Sequence, residues 1–245
     1  MITSIQNTRV KEWNKLKKRK GRKQTGSFLV EGFHLVEEAY NGGWEVREVI
    51  LREDVEAPDW LADTTVTEVS NQVFSAIADT ETPQGIAAVI ALRQEPEIDF
   101  GRVLMVDAVQ DPGNLGTLIR TADAAGYDAV ILGNGTVDPY NDKVIRATQG
   151  SIFHIPILQG SLTEWTERLK ADGVQVVASA LEGAQPYNSS SDPQKTALIV
   201  GNEGAGISPE LLEIADERVY IPIRGKAESL NVAVAAGILM YHFID

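Results

Sequence analysis

The sequence predicts an α/β protein in which a mostly parallel sheet forms the C-terminal part of the chain and a smaller α/β unit precedes it. Beyond residue 98, short and almost continuously apolar segments alternate with segments of helical periodicity. Apolar runs of this kind are typical of parallel strands that helices cover on both faces. The predicted strands are 103–109, 129–132, 174–179, 197–200 and 219–223. The predicted helices are 114–125, 141–149, 161–171, 208–214 and 229–243.

Two of these helices have well-marked starts. Ser161 is followed three residues later by Glu164, which is the spacing of a capping box. Ser208 and Pro209 combine a capping residue with a proline at the first helical position. These pairs predict where the third and fourth helices of this part begin.

The first 93 residues contain a second, shorter alternation of helices and strands. Val10, Trp13 and Leu16 recur at three-residue steps between basic residues, which predicts an amphipathic helix over 8–20. The other predicted elements are strands 27–30, 46–51 and 85–92 and helices 32–40 and 73–78. The polar stretch 93–97 contains a proline and is predicted to be a linker. The predicted domains are therefore 1–93 and 98–245.

The composition excludes several kinds of site. The 245 residues include no cysteine, which removes disulfides, thiolate nucleophiles and cysteine-based zinc sites. The three histidines, His34, His154 and His242, are scattered along the chain, so no metal site is predicted. No apolar run approaches the roughly 20 residues that span a bilayer, and the N-terminus lacks the apolar region of a secretory signal. A cytoplasmic protein without a membrane partner is expected.

Charge is distributed very unevenly along the chain. The net charge is −13, yet residues 1–26 hold nine basic residues and one acidic residue, a local charge of +8 that leaves −21 for the rest. A basic block on an acidic body is typical of an element that contacts nucleic-acid phosphates. A solvated, partly frayed terminus is the alternative. The candidate phosphate contacts are Lys15, Lys17, Lys18, Arg19, Lys20, Arg22 and Lys23.

The loops that follow the strands of the C-terminal sheet are the places to look for a site, because ligands of open α/β sheets bind outside the carboxyl ends of the strands. The first such loop leads into helix 114–125, whose buried stripe includes Leu115, Leu118 and Ile119. Arg120 lies about 140° from Leu115 around this helix, so packing does not explain it. Its alternative role is a surface ion pair with Asp123 or Asp111.

The second loop, 201–206, has three glycines in six residues, which indicates tight turns or close approach of a ligand to the backbone. It resembles a dinucleotide-binding loop only superficially, because Glu203 stands where the middle glycine belongs and would repel a pyrophosphate. The stretch that begins at Gly133 also departs from the dinucleotide-binding pattern, because Asp138 stands in place of its third glycine. An uncharged or cationic cofactor fits better, and a purely structural turn is the alternative.

The third loop runs from Ile221 into the last helix. Ser229 and Asn231 place a hydroxyl and an amide at the start of that helix. The small residues 233–237 would let the helix approach another segment closely. Taken alone, this pattern predicts a helix N-cap.

Together, the three loops resemble the motifs of the SpoU (TrmH) branch of the SPOUT RNA methyltransferases, in the same order and with the same spacing. Residues 114–122 match N-x-G-x-x-x-R-(T/N)-A, residues 201–206 match G-x-E-x-x-G, and residues 221–232 match I-P-x-x-G-x-x-x-S-L-N-V. Residues 138–151 look like the segment that follows the second strand in these enzymes. The sequence departs from the pattern at Ala233, where many members have serine. The resemblance covers about 100–245 strongly and 1–92 more loosely, as a small ribosomal-protein-like domain that binds the substrate.

This resemblance implies a deep trefoil knot at the C-terminal end of the sheet, a rare exception to the rule against threaded chains. It also implies that the knotted loops bind S-adenosylmethionine, whose cationic sulfonium makes a nearby Glu203 less surprising. The cofactor contacts that it implies are Ser179, Ala180, Leu181, Gly201, Asn202, Gly206, Ile221, Ile223, Ser229 and Leu230.

The implied reaction is methyl transfer to a ribose 2′-hydroxyl of structured RNA, without a metal. Arg120 is expected to stabilise the developing alkoxide or to polarise it through a phosphate. Asn114 would orient Arg120 or the ribose, and Glu203 would contact RNA or hold a loop. Ser229 and Asn231 would border the position of methyl transfer.

Two expectations concern partners. In this family the arginine is thought to come from the partner subunit, so a homodimer is implied. Ribosomal RNA is favoured over tRNA because of the two-domain organisation, and Arg146 is added to the RNA contacts of the basic terminus. Two alternatives remain: a catalytically silent RNA-binding protein of the same fold and a nicotinamide-dependent oxidoreductase. The second is disfavoured because the glycine-rich loops do not match the dinucleotide-binding pattern.

Overall fold

The computed structural model describes residues 1–61, 64–93, 99–190 and 194–244, and its chain contacts divide into two compact units. The first unit comprises Met1–Gln94 and Tyr140–Phe153, and the second comprises Glu95–Pro139 and His154–Asp245. Except for Arg93, the predicted linker 93–97 lies outside the described residues. Helices and strands are numbered below in chain order, α1–α9 and β1–β11.

The basic N-terminal segment forms two helices rather than the one predicted over 8–20. The first, α1, is Thr8–Leu16, and the second, α2, is Arg19–Thr25. Lys18 has an extended backbone between them, and the chain turns so tightly that a Cβ on Gly21 would lie 2.0 Å from the carbonyl oxygen of Lys15. The predicted stripe of Val10, Trp13 and Leu16 is confirmed, since all three are buried in one apolar cluster.

A four-stranded sheet forms the centre of the first unit. Its strands are β1 Ser27–Glu31, β2 Val46–Arg52, β3 Val66–Val69 and β4 Ile86–Ala91, in the spatial order β1-β4-β2-β3. Strand β4 is antiparallel to β1 and β2, and β3 is parallel to β2. Two further helices of this unit are α3 Phe33–Asn41 and α4 Asn71–Ile77. The sequence did not predict β3, a four-residue edge strand with only alternate side chains buried.

Residues Tyr140–Phe153 belong to the first unit, although their sequence lies inside the predicted second domain. This segment contains the helix α6, Asp142–Thr148, which packs on β1. The ring of Phe28 lies 4.7 Å from that of Tyr140 and 6.4 Å from that of Phe153. The indole of Trp44 donates a hydrogen bond of 2.9 Å to the carbonyl of Phe153. Aromatic packing therefore holds the segment in the core of the first unit.

The second unit is built on a seven-stranded sheet in which all the pairings among the described residues are parallel. Its strands are β5 Arg102–Val106, β6 Ala129–Leu132, β7 Ile157–Gln159, β8 Gln175–Ser179, β9 Gln185–Pro186, β10 Thr196–Val200 and β11 Glu217–Tyr220. Their order is β7-β6-β5-β10-β8-β11-β9. The predicted parallel sheet is confirmed. The strands that the sequence missed, β7 and β9, are edge strands of three and two residues, too short for a periodic pattern.

The helices of the second unit are α5 Pro112–Ala124, α7 Leu162–Ala171, α8 Pro209–Ile214 and α9 Val232–His242. Ser161 caps α7 by accepting a bond of 3.4 Å from the amide of Glu164, as predicted. Ser208 caps α8 without a side-chain bond, and Pro209 is at the first helical position. Helix α9 packs against α5 and β10. None of the helices in the described parts of the chain is long and apolar enough to cross a membrane.

Candidate active site

Side chains from the three predicted motifs meet at the carboxyl edge of the parallel sheet of the second unit. The side-chain nitrogen of Asn231 donates a hydrogen bond of 2.8 Å to the side-chain oxygen of Asn114. The side-chain nitrogen of Asn114 donates a hydrogen bond of 2.9 Å to a carboxylate oxygen of Glu203. The loops after β5, β10 and β11 are thus linked by a continuous chain of side-chain hydrogen bonds.

We call this chain of hydrogen bonds, from Asn231 through Asn114 to Glu203, the relay. Two of its members, Asn114 and Asn231, are held in place by helix caps. Asp111 caps α5 by accepting a bond of 2.8 Å from the amide of Asn114, in the first turn of the helix. Asn231 caps α9 and accepts bonds from the amides of Ala233 at 2.9 Å and Val234 at 3.3 Å. The N-cap predicted at Asn231 is confirmed. The cap uses only the oxygen of Asn231, so its nitrogen is available to reach Asn114.

Glu203 accepts hydrogen bonds from the start of the first motif. Besides Asn114, its carboxylate accepts bonds from the backbone amides of Asp111 at 3.2 Å and Gln110 at 3.3 Å. Partial burial pushes the pKa of Glu203 upward, but the bonds from Asn114, from its own amide and from these two amides outweigh burial and lower the pKa below the ordinary 4.5. Glu203 is therefore an anion at neutral pH, and it ties the loop after β10 to the start of α5.

Replacing Glu203 by glutamine should weaken this tie in a pH-dependent way. A neutral amide accepts weaker hydrogen bonds than a carboxylate, and the site is exposed, so we expect a loss of roughly 0.5–1 kcal/mol in unfolding free energy at pH 7. Because the folded state lowers the pKa of Glu203, the difference between the two proteins should be complete above pH 4.5 and vanish as the pH falls through the lowered value.

Urea unfolding of both proteins between pH 7 and pH 2.5 measures this difference. Glu182→Gln, at an exposed glutamate with no hydrogen bond or ion pair among the described residues, is the matched control and should show none. A Glu203→Gln difference that stayed constant with pH would contradict the lowered pKa.

The glycine-rich loop 201–206 has a structural reason for its glycines. Asn202 and Gly206 exchange backbone hydrogen bonds of 2.9 and 3.0 Å, and the side chain of Asn202 donates to the carbonyl of Ala108 at 2.8 Å. A Cβ on Gly201 would lie 2.2 Å from the carbonyl carbon of Gly206. Gly201, Asn202 and Gly206 were predicted as cofactor contacts, yet among the described residues they shape the loop and do not line the cavity beside it.

That cavity, of about 150 Å³, is lined largely by the predicted cofactor contacts. These are Ser179, Ala180, Leu181, Ile221, Ile223, Ser229 and Leu230. Sequence reasoning missed Tyr220, Glu228 and Ala235, although the first two adjoin predicted residues and Ala235 lies one turn beyond Asn231. Leu181 and Leu230 are 73% and 37% exposed, so apolar surface is open at this cavity.

Arg120 lies on the exposed face of α5, as its position around the helix predicts. Its two candidate ion-pair partners have other roles, because Asp123 faces His154 at 3.4 Å and Asp111 caps the helix. Across the described ranges, no hydrogen bond or salt bridge holds its guanidinium. The surface ion pair considered from the sequence is therefore not formed there.

The basic terminus separates into exposed and structural cations. Lys15, Lys18, Arg19, Lys20 and Lys23 are exposed, and we call these five residues the basic surface. Lys17 instead pairs with Asp79 at 3.0 Å and donates to the carbonyl of Ala78 at 3.0 Å. Arg22 is 5% exposed and donates to the carbonyl of Leu16 at 2.7 Å, which corrects its predicted role as a phosphate contact. Arg146 pairs with Asp142 at 2.9 Å and is partly buried.

No cluster of three or more histidine, aspartate or glutamate side chains that could hold a metal ion occurs in the part of the chain that the structure describes.

Comparison with known proteins identifies the family. The family model of the SpoU rRNA methylases matches residues 101–241, and that of the MRM3-like substrate binding domain matches residues 7–88. This chain belongs to the SpoU rRNA methylase family. The SpoU match contains all three motifs that form the relay.

Individual relatives of this SpoU methylase agree with that assignment. It is 50% identical to the 23S rRNA (guanosine(2553)-2′-O)-methyltransferase RlmP of Bacillus subtilis (strain 168), with 98% of each chain covered. It is 30% identical to the 23S rRNA (uridine(2479)-2′-O)-methyltransferase of Streptomyces viridochromogenes, covering 99% of this chain and 91% of the relative. The AdoMet-bound rRNA methyltransferase from Sinorhizobium meliloti superposes with a TM-score of 0.90 at 36% identity, covering 98% of this chain and 95% of that one.

Proposed function

We propose that this SpoU-family chain transfers the methyl group of S-adenosylmethionine to a ribose 2′-hydroxyl of 23S ribosomal RNA. The observation that carries the proposal is the Asn231–Asn114–Glu203 relay, which brings the three family motifs together beside an apolar cavity. The Bacillus subtilis relative favours the counterpart of guanosine 2553 as the target nucleotide. An enzyme with this substrate would work where ribosomes are assembled, in the cytoplasm.

The cavity residues fit the cofactor. Leu181, Ile221 and Leu230 offer apolar walls for an adenine ring, and Ser179 and Ser229 offer hydroxyls to the polar groups. The carboxylate of Glu228, a residue missed from the sequence, adds negative charge that suits a cation. When bound, S-adenosylmethionine supplies a methyl group already activated by its sulfonium.

The residues of the relay and Arg120 would then prepare the acceptor. A ribose hydroxyl is a weak acid, so its oxygen needs stabilisation as negative charge develops on it. The exposed guanidinium of Arg120 can supply this stabilisation directly or through a neighbouring phosphate. Asn114 and Asn231, each held by a helix cap, would keep the approach to the cavity rigid so that the hydroxyl is aligned for transfer.

Methyl transfer in vitro tests the proposal. The purified chain, labelled S-adenosylmethionine and unmodified 23S rRNA should give label at one position, resistant to alkaline cleavage as a 2′-O-methyl group requires. We expect that position to be the counterpart of guanosine 2553. Label on tRNA alone would point to the tRNA alternative, and S-adenosylmethionine binding without any transfer would point to a catalytically silent protein.

We also propose that the chain acts as a homodimer. Val234, Ile238 and Tyr241 form an exposed apolar stripe on α9, with 54%, 38% and 48% of their surface accessible. Such a stripe is typical of a surface that a second copy covers around a two-fold axis. A dimer would also allow Arg120 of one subunit to serve the cavity of the other.

Replacing Ile238 by aspartate should break this dimer, because a charge would be buried at its centre. Light scattering should give about twice 26.6 kDa for the wild type and about 26.6 kDa for the variant, with transfer lost. Thr163→Asp, at a partly buried position on α7, is the control and should remain dimeric and active. A monomeric wild type that retained full activity would rule out the dimer.

We further propose that the C-terminal segment forms the deep trefoil knot of SPOUT enzymes. Helix α9 follows β11 in the chain, yet it packs on α5 and on β10, which is separated from β11 by β8. The chain must therefore return across the carboxyl edge of the sheet, where the loops after β8 and β10 lie. When the protein is stretched from its two ends, its final length should be shorter than the roughly 3.3–3.6 Å per residue of an unknotted chain, because a tightened knot holds some residues back.

A further inference from the structure

A second cavity lies wholly within the first unit and is not used by the proposed methyl transfer. It has a volume of about 300 Å³ and lies between the start of α3, the turn 80–84 and α6. We call it the α3–α6 cleft. Its volume is at the lower end of the range for small-molecule sites, so it could hold one nucleotide but not a nucleic-acid helix.

Within the part of the chain that the structure describes, Gln84 and Gln149 of the α3–α6 cleft each leave one side-chain hydrogen-bonding group unused. Gln84 uses its oxygen to accept a bond of 2.9 Å from the amide of Phe33, which leaves its NH₂ group as a donor. Gln149 uses its nitrogen to donate a bond of 2.9 Å to the carbonyl of Arg146, which leaves its oxygen as an acceptor. The hydroxyl of Thr82 makes no hydrogen bond within the described residues. The cleft therefore offers a donor, an acceptor and a hydroxyl to a ligand.

The charges of the cleft favour an uncharged ligand. The guanidinium of Arg146 is neutralised by Asp142 at 2.9 Å. The carboxylate of Glu31 accepts hydrogen bonds from the hydroxyl of Thr80 and from the amide of Asp79. A phosphate would meet this carboxylate without a spare positive charge to offset it. A flat polar ring would instead find matching hydrogen bonds and the planar groups of Arg146 and His34 on which to stack.

The cleft adjoins the basic terminus. Lys17, at the end of α1, holds the carbonyl of Ala78 and the carboxylate of Asp79. The turn that lines the cleft begins with the next residue, Thr80. A strand whose phosphates follow the basic surface would therefore pass close enough to place a base in the cleft.

We propose that the α3–α6 cleft binds one unpaired base of the RNA substrate and so contributes to the choice of RNA. This inference rests on the proposed function, and it concerns residues outside the three methyltransferase motifs. Proteins read RNA sequence mainly from unpaired bases, through hydrogen bonds to base edges and stacking on flat side chains. The domain that contains most of the cleft matches the MRM3-like substrate binding domain, so its ligand would be the substrate.

Filling the cleft tests this proposal. Thr82 is exposed at the rim, so Thr82→Trp should occupy the cleft without disturbing the core. Fluorescence anisotropy would measure binding of a 23S rRNA fragment and of a series in which each unpaired nucleotide in turn lacks its base. We expect Thr82→Trp to weaken binding of the intact fragment about tenfold, and one abasic position to weaken wild-type binding by a similar factor. At that position, Thr82→Trp and the abasic RNA together should weaken binding no more than either change alone, since both remove the same contact.

The matched control is Thr65→Trp, at an exposed threonine of the first unit outside the cleft, which should bind RNA as the wild type does. S-adenosylmethionine affinity should be unchanged in both variants. Wild-type RNA affinity in Thr82→Trp, or additive effects at every abasic position, would overturn the proposal while leaving methyl transfer intact. Displacement of the RNA by a free nucleoside at micromolar concentration would also overturn it, because the cleft would then be a small-molecule site. Failure of the wild type to methylate any RNA would instead refute the proposed function.

Discussion

Replacing Arg120 by alanine should remove methyl transfer while leaving the affinity for S-adenosylmethionine within a few-fold of the wild-type value. Arg120 lies on the exposed face of α5 and does not line the cavity proposed for the cofactor, so its role is expected at the acceptor hydroxyl. Loss of one group that stabilises an oxyanion typically costs about 100- to 1000-fold in rate. Single-turnover transfer of labelled methyl and calorimetric titration of the cofactor measure the two effects separately. A parallel loss of cofactor affinity would contradict a role at the acceptor.

Arg120→Lys is the informative companion variant. Lysine keeps the positive charge but lacks the planar fork that can contact two oxygens at once. We expect partial activity if charge alone stabilises the alkoxide and activity near that of Arg120→Ala if the fork is needed. Wild-type rates in both variants would remove Arg120 from the mechanism.

Mixing two inactive variants tests whether Arg120 acts on the partner subunit's cavity. Ala180→Phe should fill the cavity proposed for the cofactor, which Ala180 lines. It is a better block than a change at Gly201, which would disrupt the loop. If Arg120 acts across the dimer, a mixed dimer with Arg120→Ala has one complete site, and an equal mixture should recover about a quarter of wild-type activity. If Arg120 serves its own subunit, no recovery is expected.

Removing the charge of the basic surface should weaken RNA binding on the order of 100-fold at low salt. Each lost phosphate contact should also reduce the log–log salt slope by roughly 0.7 to 0.9. The glutamine variant would change Lys15, Lys18, Arg19, Lys20 and Lys23 together, all of them exposed. The rest of the chain beyond residue 26 carries a charge of −21, so it offers few other groups to attract RNA at long range. Binding titrations between about 50 and 200 mM salt measure both quantities.

Lys17 and Arg22 provide the internal control for this experiment. Lys17 is paired with Asp79, and Arg22 is buried against the end of α1. Lys17→Gln and Arg22→Met should therefore lower thermal stability and leave the salt slope nearly unchanged. A basic-surface variant that kept the wild-type affinity and slope would show that the terminus is a solvated helix pair, the alternative that the sequence left open.

The secondary structure could be predicted well wherever periodicity extends over several turns or several strand residues. The helix at 161–171 and the buried stripe of α1 follow from local periodicity, because residues three or four apart along a helix share a face. The strand at 129–132 follows from its continuous apolar run. The break after α1 could not be predicted in this way. It depends on the close approach of Gly21 to the carbonyl of Lys15, which is a contact between two helices.

In the candidate site, too, local patterns could be predicted from the sequence and contacts between distant segments could not. Motif spacing predicted which loops meet at this edge, and the family resemblance implied seven of the ten residues that line the cavity beside them. The bonding partners were not predicted, since no pattern in the sequence indicates that Asn114 joins Asn231 to Glu203. Residues 114 and 231 are 117 positions apart, and a pattern in the chain has no information on which side chains meet over that distance.

By itself, the sequence determined the parallel sheet, the family and the three loops that form the candidate site, because these depend on residue type and spacing along the chain. Tertiary structure alone decided that Tyr140–Phe153 packs with the first unit, where Phe28 and Trp44 supply its aromatic partners. It also decided that Arg22, one of a run of similar cations, is buried, whereas Lys23 beside it is exposed. Burial depends on which surfaces of distant segments come together, and adjacent residues of the same charge do not reveal which of them those surfaces will cover.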